Sequence, residues 1–267
     1  MAVALCFDPM NRAAIALLSL SCGLAASAFA QKSVPVTSEP HHHLVYTGER
    51  LRVFRVEVPA DSSTLIHEHA VDYFWIAVGA SEFVNASVGK DEVKVVAPDG
   101  SVHFTRGGFA HFARVEGALP FRNVTLELPE AQTHPRNLCE AVLPAEPTDC
   151  PAAMKTAAMT FTGGTVRPEF ETDQVRVTLL TIAPGEMLEI AKGAMAPTLV
   201  AVDDVAGTTQ MTCKAFDTVA TEALNLTSGN TYPGNTYPVR AQQQCRLHNL
   251  ASGPARFLAV EFRAVPR

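Results

Sequence analysis

One pattern of residues occurs twice in this chain, and a duplicated unit constrains architecture before any single motif does. Arg52 to Pro59 (RVFRVEVP) reads like Arg176 to Pro184 (RVTLLTIAP). With Pro59 set on Pro184, Tyr73 to Val78 (YFWIAV) falls on Thr198 to Asp203 (TLVAVD). The last strands echo as well, Phe121 to Leu128 (FRNVTLEL) resembling Arg256 to Phe262 (RFLAVEF). The second copy carries extra residues, and the turn-rich stretch Ser228 to Pro238, where Asn-Thr-Tyr-Pro occurs twice, is the place for them. The repeated runs are short, rich in Val and Thr, and broken by turn signals such as Asp99-Gly100 and Gly107-Gly108. Each copy therefore reads as a β-sandwich or barrel, and the chain as all-β. The expected domains are 31–135 and 161–267. A linker over 136–160 joins them, in a region rich in Pro, Ala and Glu.

Composition agrees and removes alternatives. Of 267 residues, 47% are hydrophobic and 18% charged, which excludes a disordered chain and allows two real cores. The net charge of −6 supplies no field for a phosphate backbone, so nucleic acid is not an expected partner.

Residues 1–30 read as a signal peptide: an uncharged Ala- and Leu-rich run from Ala13 to Ala26, then Ala28-Phe29-Ala30 as a small-x-small cleavage site. That run is shorter than the roughly 20 residues that cross a bilayer as a helix, and no transmembrane segment is expected elsewhere. A periplasmic or secreted protein follows. The remainder holds Cys139, Cys150, Cys213 and Cys245, an even set that suggests two disulfides in an exported chain. Three pairings are open. Proximity along the chain favours Cys139 with Cys150 and Cys213 with Cys245.

Histidine is concentrated in the first copy: eight of nine lie at or before His134. In Ile66-His67-Glu68-His69 the two imidazoles share one face of a strand and Glu68 turns the other way, toward solvent. His111 follows Arg106-Gly107-Gly108, where glycines permit a tight bend. Three neutral imidazoles suit a divalent metal: Fe, Mn, Zn, Ni or Cu. Pro59 to Gly79 resembles the first cupin motif, in outline G-x5-H-x-H-x3-4-E-x6-G. Gly100 to His111 resembles the second, G-x5-P-x-G-x2-H. The resemblance implies two cupin-like β-barrels in tandem, each a double-stranded β-helix or jelly roll. It sets His67, His69 and His111 on the family's metal-binding histidines.

The departures are informative. The family's glutamate would fall at Tyr73 or Phe74, and the nearest acid is Asp72, open as a fourth ligand, as an outer partner of a histidine, or as a solvated turn acid. Arg106 stands in place of the motif's Pro and reads as a turn residue, and Tyr73, Phe74 and Trp75 read as barrel core and shell. His41, His42 and His43 read as a flexible surface segment. In the second copy Lys192, Ala194 and Cys245 fall where His67, His69 and His111 stand, so that barrel is expected to be degenerate and metal-free. Cupin relatives include dioxygenases, isomerases and decarboxylases acting on small molecules. The expectation is an exported metalloprotein, either a metal-dependent enzyme or a non-catalytic module that binds a small molecule or metal. Self-association is left open.

Overall fold

The computed structural model describes residues 32–144, 146–150, 159–191, 197–203, 209–215, 234–240 and 243–263. The leader read over 1–30, Lys192 and Ala194, and most of the Ser228 to Pro238 stretch lie outside the described residues. The first copy forms ten strands: β1 (Val34–Pro35), β2 (His42–Thr47), β3 (Arg52–Val58), β4 (His67–His69), β5 (Asp72–Ala77), β6 (Ser81–Ser87), β7 (Val93–Ala97), β8 (Val102–Thr105), β9 (Phe109–Arg114) and β10 (Phe121–Leu128). They make two sheets, β1-β4-β9-β6-β7 and β2-β3-β10-β5-β8. The second copy forms β11 (Arg136–Asn137), β12 (Met159–Phe161), β13 (Gly164–Glu171), β14 (Val175–Ile182), β15 (Met187–Ile190), β16 (Thr198–Ala201), β17 (Thr209–Ala215), β18 (Thr236–Pro238), β19 (Gln243–Asn249) and β20 (Ala255–Phe262). Its sheets run β11-β13-β14-β20-β16-β18 and β12-β15-β19-β17. Past β11, the first of these repeats the order β2-β3-β10-β5-β8, and the second repeats β1-β4-β9-β6. The duplication in sequence is thus a duplication of strand order, except that β1 runs parallel to β4 while β12 runs antiparallel to β15. Among the described residues no helix is long and apolar enough to cross a membrane.

Strand register corrects the sequence alignment of the copies. Ala77 lies opposite Asn123 on β10, and Ala201 lies opposite Phe257 on β20, so Ala77 corresponds to Ala201, one residue from where the aligned runs set it. Apolar β-rich runs carry no mark of register, and a slip of one residue exchanges the two faces. Likewise Cys245 faces Ile190 across β15 and β19 as His111 faces His67 across β4 and β9, so Ile190, and not Lys192, has the place of His67.

β10 and β14 are buried along nearly their whole length because both of their faces are covered. One face of each packs against the other copy: Val53, Phe74, Leu126 and Leu128 join Phe170, Val177, Leu258 and Val260 in a single buried cluster. The rings of Phe74 and Phe104 lie 5.6 and 5.3 Å from that of Phe170. The opposite faces point into the barrels, and there the copies differ. On β10 the inward residues are Phe121, Asn123, Thr125 and Glu127, whereas the register puts Ala255, Phe257, Ala259 and Glu261 in their places. Leu180, Ile182, Leu188, Ile190, Leu247 and Phe257 fill the second barrel. Apart from buried Glu261, apolar residues stand where β10 carries Asn123 and Thr125.

The segment expected as a linker is attached to the second barrel. β11 pairs with β13, and Cys139 is bonded to Cys150. β17 and β19 set Cys213 opposite Cys245, which is disulfide-bonded. The side chain of Cys213 lies outside the described residues.

Candidate metal centre

Alternation on the short strand β4 buries His67 and His69 and leaves Glu68 exposed. β9 returns antiparallel and places His111 directly opposite His67, with ring centroids 4.5 Å apart. This approach depends on the preceding glycines. A Cβ at Gly107 would collide with the backbone of Val71, and Gly108 adopts φ +83° while its amide donates to the His69 carbonyl at 2.7 Å.

A fourth imidazole comes from β2, in the stretch expected to be a flexible surface segment. His43 is exposed, but His42 turns inward, its side chain only 6% accessible. Its ring lies 4.5 Å from that of His67 and 5.6 Å from that of His69. One ligand atom from each of His42, His67 and His69 lies within 4.8 Å of the others, so these three can hold a metal ion. His111 stands beside them, its ring 5.6 Å from that of His69. Strand parity could have found His42, since the middle of three consecutive strand residues faces opposite to its neighbours.

The ring nitrogens are sorted by their partners. Nδ1 of His67 meets the carbonyl of Leu65 at 2.9 Å, Nδ1 of His69 meets Glu127 Oε1 at 3.1 Å, and Nδ1 of His111 meets Asn85 Oδ1 at 2.8 Å. Nδ1 of His42 meets the carboxylate of Glu39. All four partners are acceptors, so each Nδ1 carries a proton, and in the neutral rings of His67, His69 and His111 each Nε2 presents a lone pair. This is how outer partners fix the tautomer of metal-binding histidines. The Nε2 atoms of His67 and His111 are buried with no hydrogen-bond partner. Buried Glu39 also accepts from the amides of His41 at 2.9 Å and Leu65 at 3.2 Å, which ties β2 to the residue preceding the H-x-H strand. Burial raises its carboxyl, but His42 and these amides together hold it below its usual range.

Burial, then the neighbouring charges, drives His67, His69 and His111 toward the neutral form. His67 falls to about 4 through desolvation and His42, His69 to about 3 through desolvation, His42 and Arg52, and His111 to about 2 through desolvation and the other three rings. Each folded value lies below the unfolded one near 6.5. The metal-free protein should therefore hold this stability in full above about pH 6.5 and lose it as pH falls, by up to about 1.4 kcal/mol per pH unit for each histidine. Denaturant unfolding of metal-free protein across that range measures the slope, and a flat profile would contradict neutral buried rings.

Asp72 does not join the histidines. It accepts from Arg106 Nη1 at 2.7 Å, from the Gly107 amide at 3.1 Å and from the Gln132 amide at 3.2 Å, organising the turn that precedes β9. Its parity on β5 is opposite to that of Tyr73 and Trp75, which line the cavity beside the histidines. Arg106 is, as expected, an exposed turn residue. The carboxylate behind the site is Glu127, reached from β10, with Arg52 Nη2 2.7 Å from its other oxygen. Tyr73, where the motif's glutamate would stand, stacks on His69 at 4.0 Å. Asp72→Asn should change metal affinity less than about tenfold, whereas Glu127→Gln should weaken it about 10- to 100-fold, the range of outer partners. Metal titration of both variants checks this; a larger loss in Asp72→Asn would restore it to the site.

The histidines open onto a cavity of about 470 Å³ walled by Val56, Trp75, Phe83, Phe104, Phe109 and Phe121, with Asn123 and Thr125 as polar positions on its β10 wall. Thr125 donates to Asn123 Oδ1 at 2.7 Å.

No protein-family model matches the sequence, and no curated protein matches it. Solved structures do share the fold. An oxalate decarboxylase of Bacillus subtilis, described with Mn(II) centres, is 13% identical over 87% of this chain and 77% of its own, with a TM-score of 0.50. AerE from Microcystis aeruginosa is 8% identical over 85% of this chain and 99% of its own, also at 0.50. A cupin domain from Bordetella pertussis is 17% identical and covers 37% of this chain and 98% of its own, at 0.32. The chain has the cupin fold, a double-stranded β-helix, in two tandem copies.

Proposed function

We propose that the first barrel holds a divalent metal ion on His67, His69 and His111, with His42 as a fourth imidazole. In this reading the cavity presents a small, largely apolar molecule bearing an anionic oxygen to the ion for reaction. The observation that carries the reading is the shared arrangement of the rings. Every Nδ1 proton is committed outward, and the two orphaned Nε2 atoms would each cost about 1–3 kcal/mol if nothing met them. An ion fits that gap. A set of neutral imidazoles suits Fe, Ni, Cu or Zn better than a carboxylate-rich site would. When bound, such an ion supplies Lewis-acid polarisation and, if redox-active, chemistry with dioxygen.

The chain's own residues support the substrate class. With no carboxylate among the four imidazoles themselves, a bound ion would have no anionic group in direct contact and would favour an anionic oxygen from the cavity side. Among the described residues the lining cation is Lys94, which is exposed and paired with Glu82, and no arginine lines the cavity. That wall does not suit a dianion such as oxalate, the substrate named for the decarboxylase neighbours. Trp75, Phe83 and Phe121 exclude water, and burial pushes the Tyr73 phenol above its ordinary range, keeping it protonated beside His69. Export belongs to the same proposal, supported by the apolar run Ala13 to Ala26 and by the Cys139–Cys150 bond, since disulfides persist in oxidising compartments.

A second reading, a binding module without catalysis, is favoured by one observation: among the described residues no Asp or Glu lines the cavity to act as general acid or base. Metal analysis followed by oxygen uptake with a panel of phenols and 1,3-diketones separates the two. Iron, nickel or copper with uptake is the expected result. Zinc, no uptake and ligand-raised melting temperatures would establish the binding module.

A further inference from the structure

The cavity of the first barrel is not walled by the first copy alone. Val142 and Pro144 line it, and both lie in the loop closed by the Cys139–Cys150 disulfide. At its base this loop is fastened to the second barrel: the amides of Leu138 and Cys139 donate to the carbonyls of Glu169 and Pro168, each at 2.9 Å. Buried Asn137 braces it from within. Its Nδ2 donates to the carbonyls of Leu143 at 2.9 Å and Glu146 at 2.8 Å, and its Oδ1 accepts from the Leu143 amide at 2.8 Å. At the far end Val142 is fully buried, and its carbonyl accepts from the amide of Phe104 at 3.3 Å. Phe104 belongs to β8, the edge strand of its sheet, and itself lines the cavity.

We infer that the disulfide-closed loop is the size-selecting wall of this cavity, so that the second barrel sets which molecules the first admits. The inference rests on the proposed function only in treating the cavity as a ligand site; it needs no metal. An edge strand such as β8 has no neighbour to hold its outer side. The loop supplies one through the Phe104 amide and fixes the position of two apolar side chains, Val142 and Pro144. The disulfide and Asn137 hold those side chains at a set distance, and a wall held in this way discriminates by bulk. The ligands it sorts are compact apolar bodies carrying one polar group.

Trp75 is the chain's single tryptophan and lines the cavity, so its emission reports occupancy whether or not metal is bound. The full-length protein and its variants are titrated with cyclohexanol and with the bulkier 1-adamantanol, and metal content is measured in parallel. Val142→Ala should raise the preference for 1-adamantanol over cyclohexanol about tenfold and Val142→Phe should lower it about as much, the scale on which pockets discriminate single methylenes. Pro144→Ala, and Cys139→Ser combined with Cys150→Ser, should shift it in the direction of Val142→Ala. An unchanged preference in Val142→Ala and Pro144→Ala proteins that remain folded overturns the inference, as does the absence of any Trp75 response to either alcohol in the unaltered protein. A shifted preference in protein that binds no metal would leave this inference standing and remove the metal reading alone.

Discussion

His67→Ala and His69→Ala should each strip the purified protein of the proposed metal, lowering affinity by more than the roughly 10- to 100-fold that outer partners carry. Both rings are buried on β4, and each has its Nδ1 proton committed to a fixed acceptor, so its Nε2 is a preset donor that no neighbouring side chain can replace. His111→Ala should do the same, because its Nε2 is as buried and as unpartnered as that of His67. The sharpest contrast lies within three consecutive residues. His42→Ala should lower metal content, while His43→Ala, removing an exposed ring, should leave it unchanged. Metal per protein, measured beside near-ultraviolet circular dichroism to confirm the fold, reads all of these. Full occupancy in His42→Ala would remove the fourth ligand, and full occupancy in His67→Ala would sink the site.

Expressed alone, residues 31–135 should aggregate or oligomerise. In the whole chain Phe74, Ile76, Val124, Leu126 and Leu128 are fully or almost fully buried in the cluster shared with the second copy. Cutting the chain turns that sheet face into a contiguous apolar patch of the kind soluble monomers avoid. The same interface can be weakened without cutting. Phe170 is fully buried between Phe74 and Phe104, and Phe170→Ala should cost about 3–5 kcal/mol. Light scattering of the fragment and urea unfolding of the full-length variant check the two arms. A monodisperse, metal-loaded fragment, or an unchanged unfolding midpoint, would contradict the packing account.

Much of this was legible before any coordinates. Period-two alternation alone places His67 and His69 on one face, and the glycines before His111 predict a bend that the positive φ of Gly108 confirms. The duplication and the Cys139–Cys150 pair are likewise visible in the chain. His42 was obscured because three adjacent histidines look like one surface feature, although parity separates the middle one from its neighbours. Glu127 could not be seen, since it lies 58 residues from His69 in sequence and reaches it only through the pairing of β10 within its sheet. Register was the other hidden quantity. It decides that Ile190, within an apolar core, stands where His67 does, and it turns Asp72 away from the histidines toward the amides of Gly107 and Gln132. Long-range pairing of this kind leaves no local mark, which is why Glu127 and Asn85 came from the structure and most of the histidines they adjoin from the sequence.

The central claim is that imidazoles of the first barrel hold one metal ion, and X-ray absorption at the metal edge of the full-length protein tests it most directly. The account predicts one ion per chain with a nitrogen first shell, outer scattering from three or four imidazoles, and one imidazole fewer in His42→Ala. A chain that binds no ion, or a first shell of oxygen or sulfur without imidazole scattering, would contradict it.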